Sequence, residues 1–132
     1  SFFLIQMNIY KNVAVISGLD PHRSILQDKL LRFFSDKNEK SLIVEGRPSN
    51  DISLRQQGNV DIVSHLDDSD LAFVVQNADN IYCRSGYSTL MDLYALGINR
   101  ATLIPTPGQT EQEYLAKYFA QKGFDVMMQW EI

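Results

Sequence analysis

One cysteine, two histidines and no long apolar run narrow what this chain can be. A lone thiol, Cys83, cannot close an intrachain disulfide, which fits a reducing, cytoplasmic setting. His22 and His65 are isolated from each other and Cys83 is alone, so no metal site is expected. No window approaches the roughly 18 consecutive apolar residues that a membrane span requires. The opening SFFLIQMNIY is apolar but has neither a basic flank nor a small-residue cleavage site, and does not read as a signal peptide. Positive charge is also in short supply: 12 Lys and Arg face 16 Asp and Glu, with no basic stripe. Nucleic acid is therefore not an expected partner. Neither G-x-G-x-x-G nor the P-loop pattern occurs, which removes the dinucleotide and P-loop NTPase readings.

What is present suits one globular domain spanning 1–132, with 45% hydrophobic and 21% charged residues. The chain begins with Ser rather than Met and is expected to be a piece of something larger. Short apolar runs alternate with helical patterns. Strands are expected at 12–17, 41–46, 60–66, 80–84, 101–105 and 125–128, with Arg47-Pro48-Ser49-Asn50 ending the second. Helices are expected from Pro21 to about Ser35, from about Ser69 to Asn77, from the Ser85-Gly86 break to Gly97, and from Thr110 to Gly123. Asp20 suits the N-cap of the first helix with Pro21 at its first position, and Leu26, Leu30, Phe33 and Phe34 give it one apolar face. Gly97 suits a left-handed C′ position. Strands separated by helices imply right-handed crossovers and a parallel α/β sheet, Rossmann-like, covered on both faces. Ligands of such sheets bind beyond the carboxyl ends of the strands.

Three loops occupy that position: SGLDPHRS (17–24), RSGYST (84–89) and PTPGQTEQ (105–112). Each precedes a helix start, where exposed N–H groups and the helix dipole attract phosphate. Each could equally be a well-capped helix start and nothing more. Thr110 and Glu113 have capping-box spacing, and Pro105 and Pro107 stiffen the approach to them. The helix after Ser85-Gly86 raises a sharper question. Its one charged side chain, Asp92, sits among Leu90, Met91, Leu93, Tyr94 and Leu96. An unpaired carboxylate is costly to bury, so Asp92 either faces water or meets a ligand.

The stretch CRSGYSTLMD, then Gly97, then LIPTPGQTEQEYLA resembles the C-terminal half of GT-B glycosyltransferases, most closely the family-28 C-terminal type. The best-known member of that type is the peptidoglycan GlcNAc transferase that makes lipid II. The similarity runs roughly from Asn12 to Gly123 and is most specific from Ala78 to Ala116. It implies a domain that holds a UDP-sugar donor, UDP-GlcNAc or a related hexose, in an inverting transfer. The donor is a substrate, so no cofactor is implied. An N-terminal acceptor domain or partner subunit would supply the general base, and any peripheral membrane contact would come through it. This chain alone should bind donor and turn over little.

Carried over by position, the resemblance places Asp92 on the ribose hydroxyls, where the family commonly has Glu. Arg84, Ser85, Gly86, Ser88 and Thr89 fall in the turn that approaches the phosphates. Glu111 and Gln112 fall where the sugar hydroxyls are read, with Gln109 and Thr110 beside them. Leu66 matches the position whose backbone pairs with uracil, and His65 either flanks the base or is a partly buried strand-end residue. The first loop departs from the family's Gly-rich turn. Ser17 and Gly18 keep the position but only one glycine remains, and Asp20 would repel a diphosphate unless it caps the helix, while Arg23 offers positive charge. Two other classes stay open: a UDP-GlcNAc 2-epimerase, which shares the fold, and a non-catalytic nucleotide-binding domain.

Overall fold

The computed structural model describes residues 8–47 and 53–132. The expected end of the second strand, at 48–50, and the apolar opening therefore lie wholly or largely outside the described residues. Among the described residues seven strands form one sheet: β1 (Asn12–Val15), β2 (Ser41–Val44), β3 (Leu54–Gln57), β4 (Val60–Val63), β5 (Asn80–Cys83), β6 (Thr102–Leu103) and β7 (Asp125–Val126). Four helices accompany them among the described residues: α1 (His22–Lys37), α2 (Asp68–Gln76), α3 (Tyr87–Ala95) and α4 (Thr110–Ala120). A 3-10 turn, Gln129–Glu131, follows β7. The spatial order is β3-β4-β2-β1-β5-β6-β7, parallel except for the β3–β4 pair.

Alternation along the strands builds two cores. Val13, Leu42, Val63, Cys83 and Leu103 face one side, where α2, α3 and α4 cover them with Val74, Leu90, Leu93 and the half-buried Leu115 and Phe119. Ala14, Ile43, Ile62, Tyr82 and Ile104 face the other, packed by Leu26, Leu30 and Phe34 of α1. All three of those α1 residues are fully buried, whereas Phe33 is half-buried and stacks edge-on to Tyr82. The sheet with helices on both faces is the α/β architecture expected from the alternation of patterns.

Three details differ from expectation. β3 was not anticipated, because LRQQ has no apolar run. Its two-residue Gly58-Asn59 turn, with Gly58 at φ 60°, was the available hairpin signal. The strand is a polar edge, and charged edges discourage pairing with other chains. Helix α1 starts at His22, one residue later than expected, with Pro21 in the N-cap position. The capping box at Thr110 does not form: Thr110 is already helical, Gln109 is the N-cap, and no side chain caps α4. Gly97 ends α3 as expected. At φ 75° it donates to Tyr94 O while Ile98 donates to Leu93 O, the paired bonds of a Schellman motif.

Chain order reverses direction at β1. From β1 the chain moves outward through β2 to β4 and β3, then crosses back to β5 on the other flank of β1. The loops after β1 and β5 therefore border a topological switch point, the usual ligand crevice of an open α/β sheet.

Candidate functional site

Four helices start at or near the carboxyl edge, and their first turns differ. At α1, Asp20 accepts from Ser24 N (3.0 Å) and from the Ser24 hydroxyl, and pairs with Arg23 (3.2 Å). Hydrogen bonds from the Ser24 hydroxyl and N–H, then the Arg23 charge, hold the Asp20 carboxyl below its ordinary range. Asp20 therefore caps the helix, and the buried Arg23 guanidinium is engaged with Asp20 and Gln27. At α2, Asp67 accepts from Asp70 N (2.9 Å) and from the Ser69 hydroxyl. Helices α3 and α4 have no side-chain cap at all, their N-caps being Gly86 and Gln109.

Buried polar side chains stitch the loops around these starts. Arg84 is 2% exposed, and its guanidinium donates to Ile104 O, Pro105 O, His22 O and Gln129 Oε1. Burial pushes its pKa down to about 10, so it remains a cation at neutral pH. Ser85, fully buried, donates to Gln112 O at 2.7 Å, and Gln112 Oε1 accepts from Thr106 N at 2.9 Å. The post-β1, post-β5 and post-β6 loops are thus one connected unit. Gln129 is the member that sequence reasoning missed, since nothing about a glutamine in a short C-terminal segment points to a buried arginine 45 residues earlier.

The remaining candidates are open. Asp92 is exposed, and no group among the described residues donates to its carboxylate. The question raised by its apolar neighbours resolves structurally: Leu90 and Leu93 are buried, but Met91 (45%) and Tyr94 (78%) face outward. Asp92 lies in a hollow of about 230 Å³ between α2 and α3, with Asp68, Leu71 and Leu96. A smaller hollow of about 50 Å³ adjoins it, reaching Thr89 and Cys83. Burial pushes the Cys83 thiol up to about 12, which leaves it unreactive. Ser88, Gln109, Thr110 and Glu111 are exposed, and Thr89 and Gly86 are partly so. Ser17 is half-buried after β1, and Gly18 is exposed at φ 100°. Leu66 and His65 lie beyond the end of β4, half-buried, with His65 Nδ1 3.3 Å from the Ser64 hydroxyl. A larger hollow, about 320 Å³, lies elsewhere, an apolar groove between α3 and α4 floored by Leu90 and Phe119. It has few polar groups and is not lined by the loops after β1, β5 and β6.

The family model for the glycosyltransferase family 28 C-terminal domain matches residues 26–131. The chain belongs to that family. No curated protein and no solved structure matches it. Domains of this type bind the nucleotide-sugar donor of a glycosyltransferase. The matched stretch begins within α1, so it includes every candidate from Leu66 to Gln112 and leaves out Ser17, Gly18 and Arg23. Those three belong to the loop that departs from the family's glycine-rich turn. Among the described residues, no helix is long and apolar enough to cross a membrane.

Proposed function

We propose that this domain binds the UDP of a UDP-sugar at the crevice between β1 and β5, as the donor half of an inverting glycosyltransferase. The observation that carries the reading is the uncapped start of α3 at Ser85-Gly86, beside the switch point, within a chain of this family. Free N–H groups of Tyr87, Ser88 and Thr89, with the helix dipole behind them, form a donor set for the diphosphate. The Ser88 and Thr89 hydroxyls add two further donors. Asp92, one to two turns along the same helix, accepts from the ribose hydroxyls. The backbone at Leu66 pairs with uracil, and His65 flanks it. Thr110, Glu111 and the free Nε2 of Gln112, at the start of α4, read the sugar.

Arg84 and Ser85 take a different part in this reading. Both Arg84 Nη atoms and the Ser85 hydroxyl are engaged within the protein, while Arg84 Nε is buried without a partner, so the two side chains hold the loops rather than the ligand. Arg23 is likewise paired with Asp20, and Ser17 and Gly18 shape the wall after β1. During transfer the leaving UDP gains negative charge. Fixed N–H dipoles at α3 and α4 stabilise that charge without reorganising. The base that deprotonates the acceptor comes from a second domain or subunit.

Calorimetric titration with UDP, in EDTA, tests the proposal. Saturable binding is expected, weakened little by chelation. Absence of any saturable heat up to millimolar UDP would overturn it.

A further inference from the structure

The Arg84 guanidinium is buried without a carboxylate partner among the described residues. Its Nη1 donates to two carbonyls of the post-β6 loop, Ile104 O (3.2 Å) and Pro105 O (3.3 Å). Its Nη2 donates to His22 O at the start of α1 (3.2 Å) and to Gln129 Oε1 (2.8 Å). Gln129 is the one side chain in this set and makes its shortest bond. It is itself 5% exposed. A buried cation held by neutral dipoles depends on each of them, because removing one leaves a desolvated N–H with no acceptor.

Gln129 is also held firmly from its own side. Met127 N donates to Leu103 O, which continues the sheet ladder past β7. Met128 N donates to the Glu131 carboxylate (2.6 Å), and Glu131 N returns a bond to Met128 O (2.9 Å). Ile132 packs against the α1 face of the core, and Lys29 Nζ reaches its carbonyl. The 3-10 turn is thus a fixed post, and Arg84 is the tie between it and the loops.

We infer that Gln129 is a positioning residue for the donor site, acting through Arg84 to fix the spacing of the loops after β1, β5 and β6. The inference rests on the UDP-binding reading but makes a separate claim. Arg84 immediately precedes Ser85-Gly86, so a shift of its head displaces the turn that starts α3. Through Pro105 the same shift reaches Thr106, Gln112 and the start of α4. Gln129 touches no ligand in this arrangement.

The test uses Gln129→Met, which keeps size and loses the acceptor, and Gln129→Glu, which keeps the acceptor. UDP affinity, melting temperature and amide hydrogen exchange are read for each. Gln129→Met should bind UDP about tenfold more weakly while folded, as a small misplacement of binding groups does. It should also exchange faster at Thr106–Gln109 and His22–Ser24 but not at the β3–β4 hairpin. Gln129→Glu should restore both. A lowered melting temperature with unchanged UDP affinity and unchanged loop exchange would overturn the inference and leave Gln129 as packing only. Should Gln129→Met fail to fold, Arg84→Lys, which keeps charge but loses the fork, carries the same two readouts with the same expectations. If the wild type itself binds no UDP, the function reading fails, while the exchange comparison still decides whether Gln129 fixes the loops.

Discussion

Helices α1 and α2 begin under aspartates, and α3 and α4 begin bare. The four starts lie toward one end of the sheet and obey the same electrostatics, so in the proposed reading the capped ends serve the protein and the bare ends a ligand. A carboxylate over a helix start satisfies its N–H groups and offsets the dipole. It also repels phosphate. Asp20 and Asp67 close their helices in this way. At α3 the N-cap is Gly86, whose absent side chain leaves N–H groups and approach space together. At α4 the side chain that could have turned inward, Gln112, accepts instead from Thr106 N and so shapes the loop. The two bare starts follow β5 and β6, on one side of the switch point.

The largest departure from wild type is expected at Asp92. Asp92→Asn should weaken UDP binding by about 1.5–3 kcal/mol, the range for a hydrogen bond to a charged group. Binding of 2′,3′-dideoxy-UDP should change far less, because the partner hydroxyls are already gone. Since Asp92 is exposed, the melting temperature should barely move. Equal UDP affinity in both proteins would mean Asp92 simply faces water.

Gly86→Asp converts a bare start into a capped one. A Cβ at Gly86 meets nothing within 4 Å, and its φ of −72° suits any residue. Stability should hold or rise slightly, while UDP affinity falls at least tenfold, about 1.4 kcal/mol. Unchanged affinity would remove α3 from the diphosphate site. The converse change, Asp67→Ala, should lower stability by about 1 kcal/mol through the lost cap. Thermal unfolding would show this, and calorimetry should show UDP affinity unaltered.

Acid provides the mildest test. Burial pushes the Glu45 carboxyl up, but hydrogen bonds from Gln27 and Arg55 and the charges of Arg55 and Arg47 outweigh it and hold it below its usual range. Asp20 is held low by its cap to Ser24 and Glu39 by Asn12. Groups depressed in the folded state stabilise it above their unfolded pKa, about 4.3 for Glu. That contribution is lost as pH falls through the folded value. Melting temperature should therefore drop progressively below about pH 4, and Glu45→Gln should flatten the drop.

The order and faces of the main elements could be read from the sequence because period and length signal them directly. Val-Ile runs bounded by turn residues marked β1, β2, β4 and β5, and Gly97 marked the end of α3. β3 escaped because an edge strand buries little and LRQQ carries no apolar pattern. Residue type drew attention to Asp92 and to the turn through Gly86, Ser88 and Thr89, and the fold leaves Asp92 and Ser88 exposed and Gly86 and Thr89 partly so. It was not legible where a side chain's role depends on distant partners. Arg84 and Ser85 look like phosphate ligands in a linear motif, yet the fold turns both inward, toward Ile104, Gln112 and Gln129. Thr110 and Glu113 had the spacing of a cap, but the helix starts one residue too early for Thr110 to occupy the N-cap.

Amide chemical-shift mapping during a UDP titration tests the distinction between bare and capped helix starts most directly. The account predicts saturable shifts at Gly86–Thr89, Asp92 and His65–Leu66, with the N–H groups of Ser24 and Asp70, already under their caps, staying still. Saturable shifts centred on the Leu90–Phe119 groove or on the capped starts of α1 and α2, with Gly86–Thr89 unmoved, would contradict it.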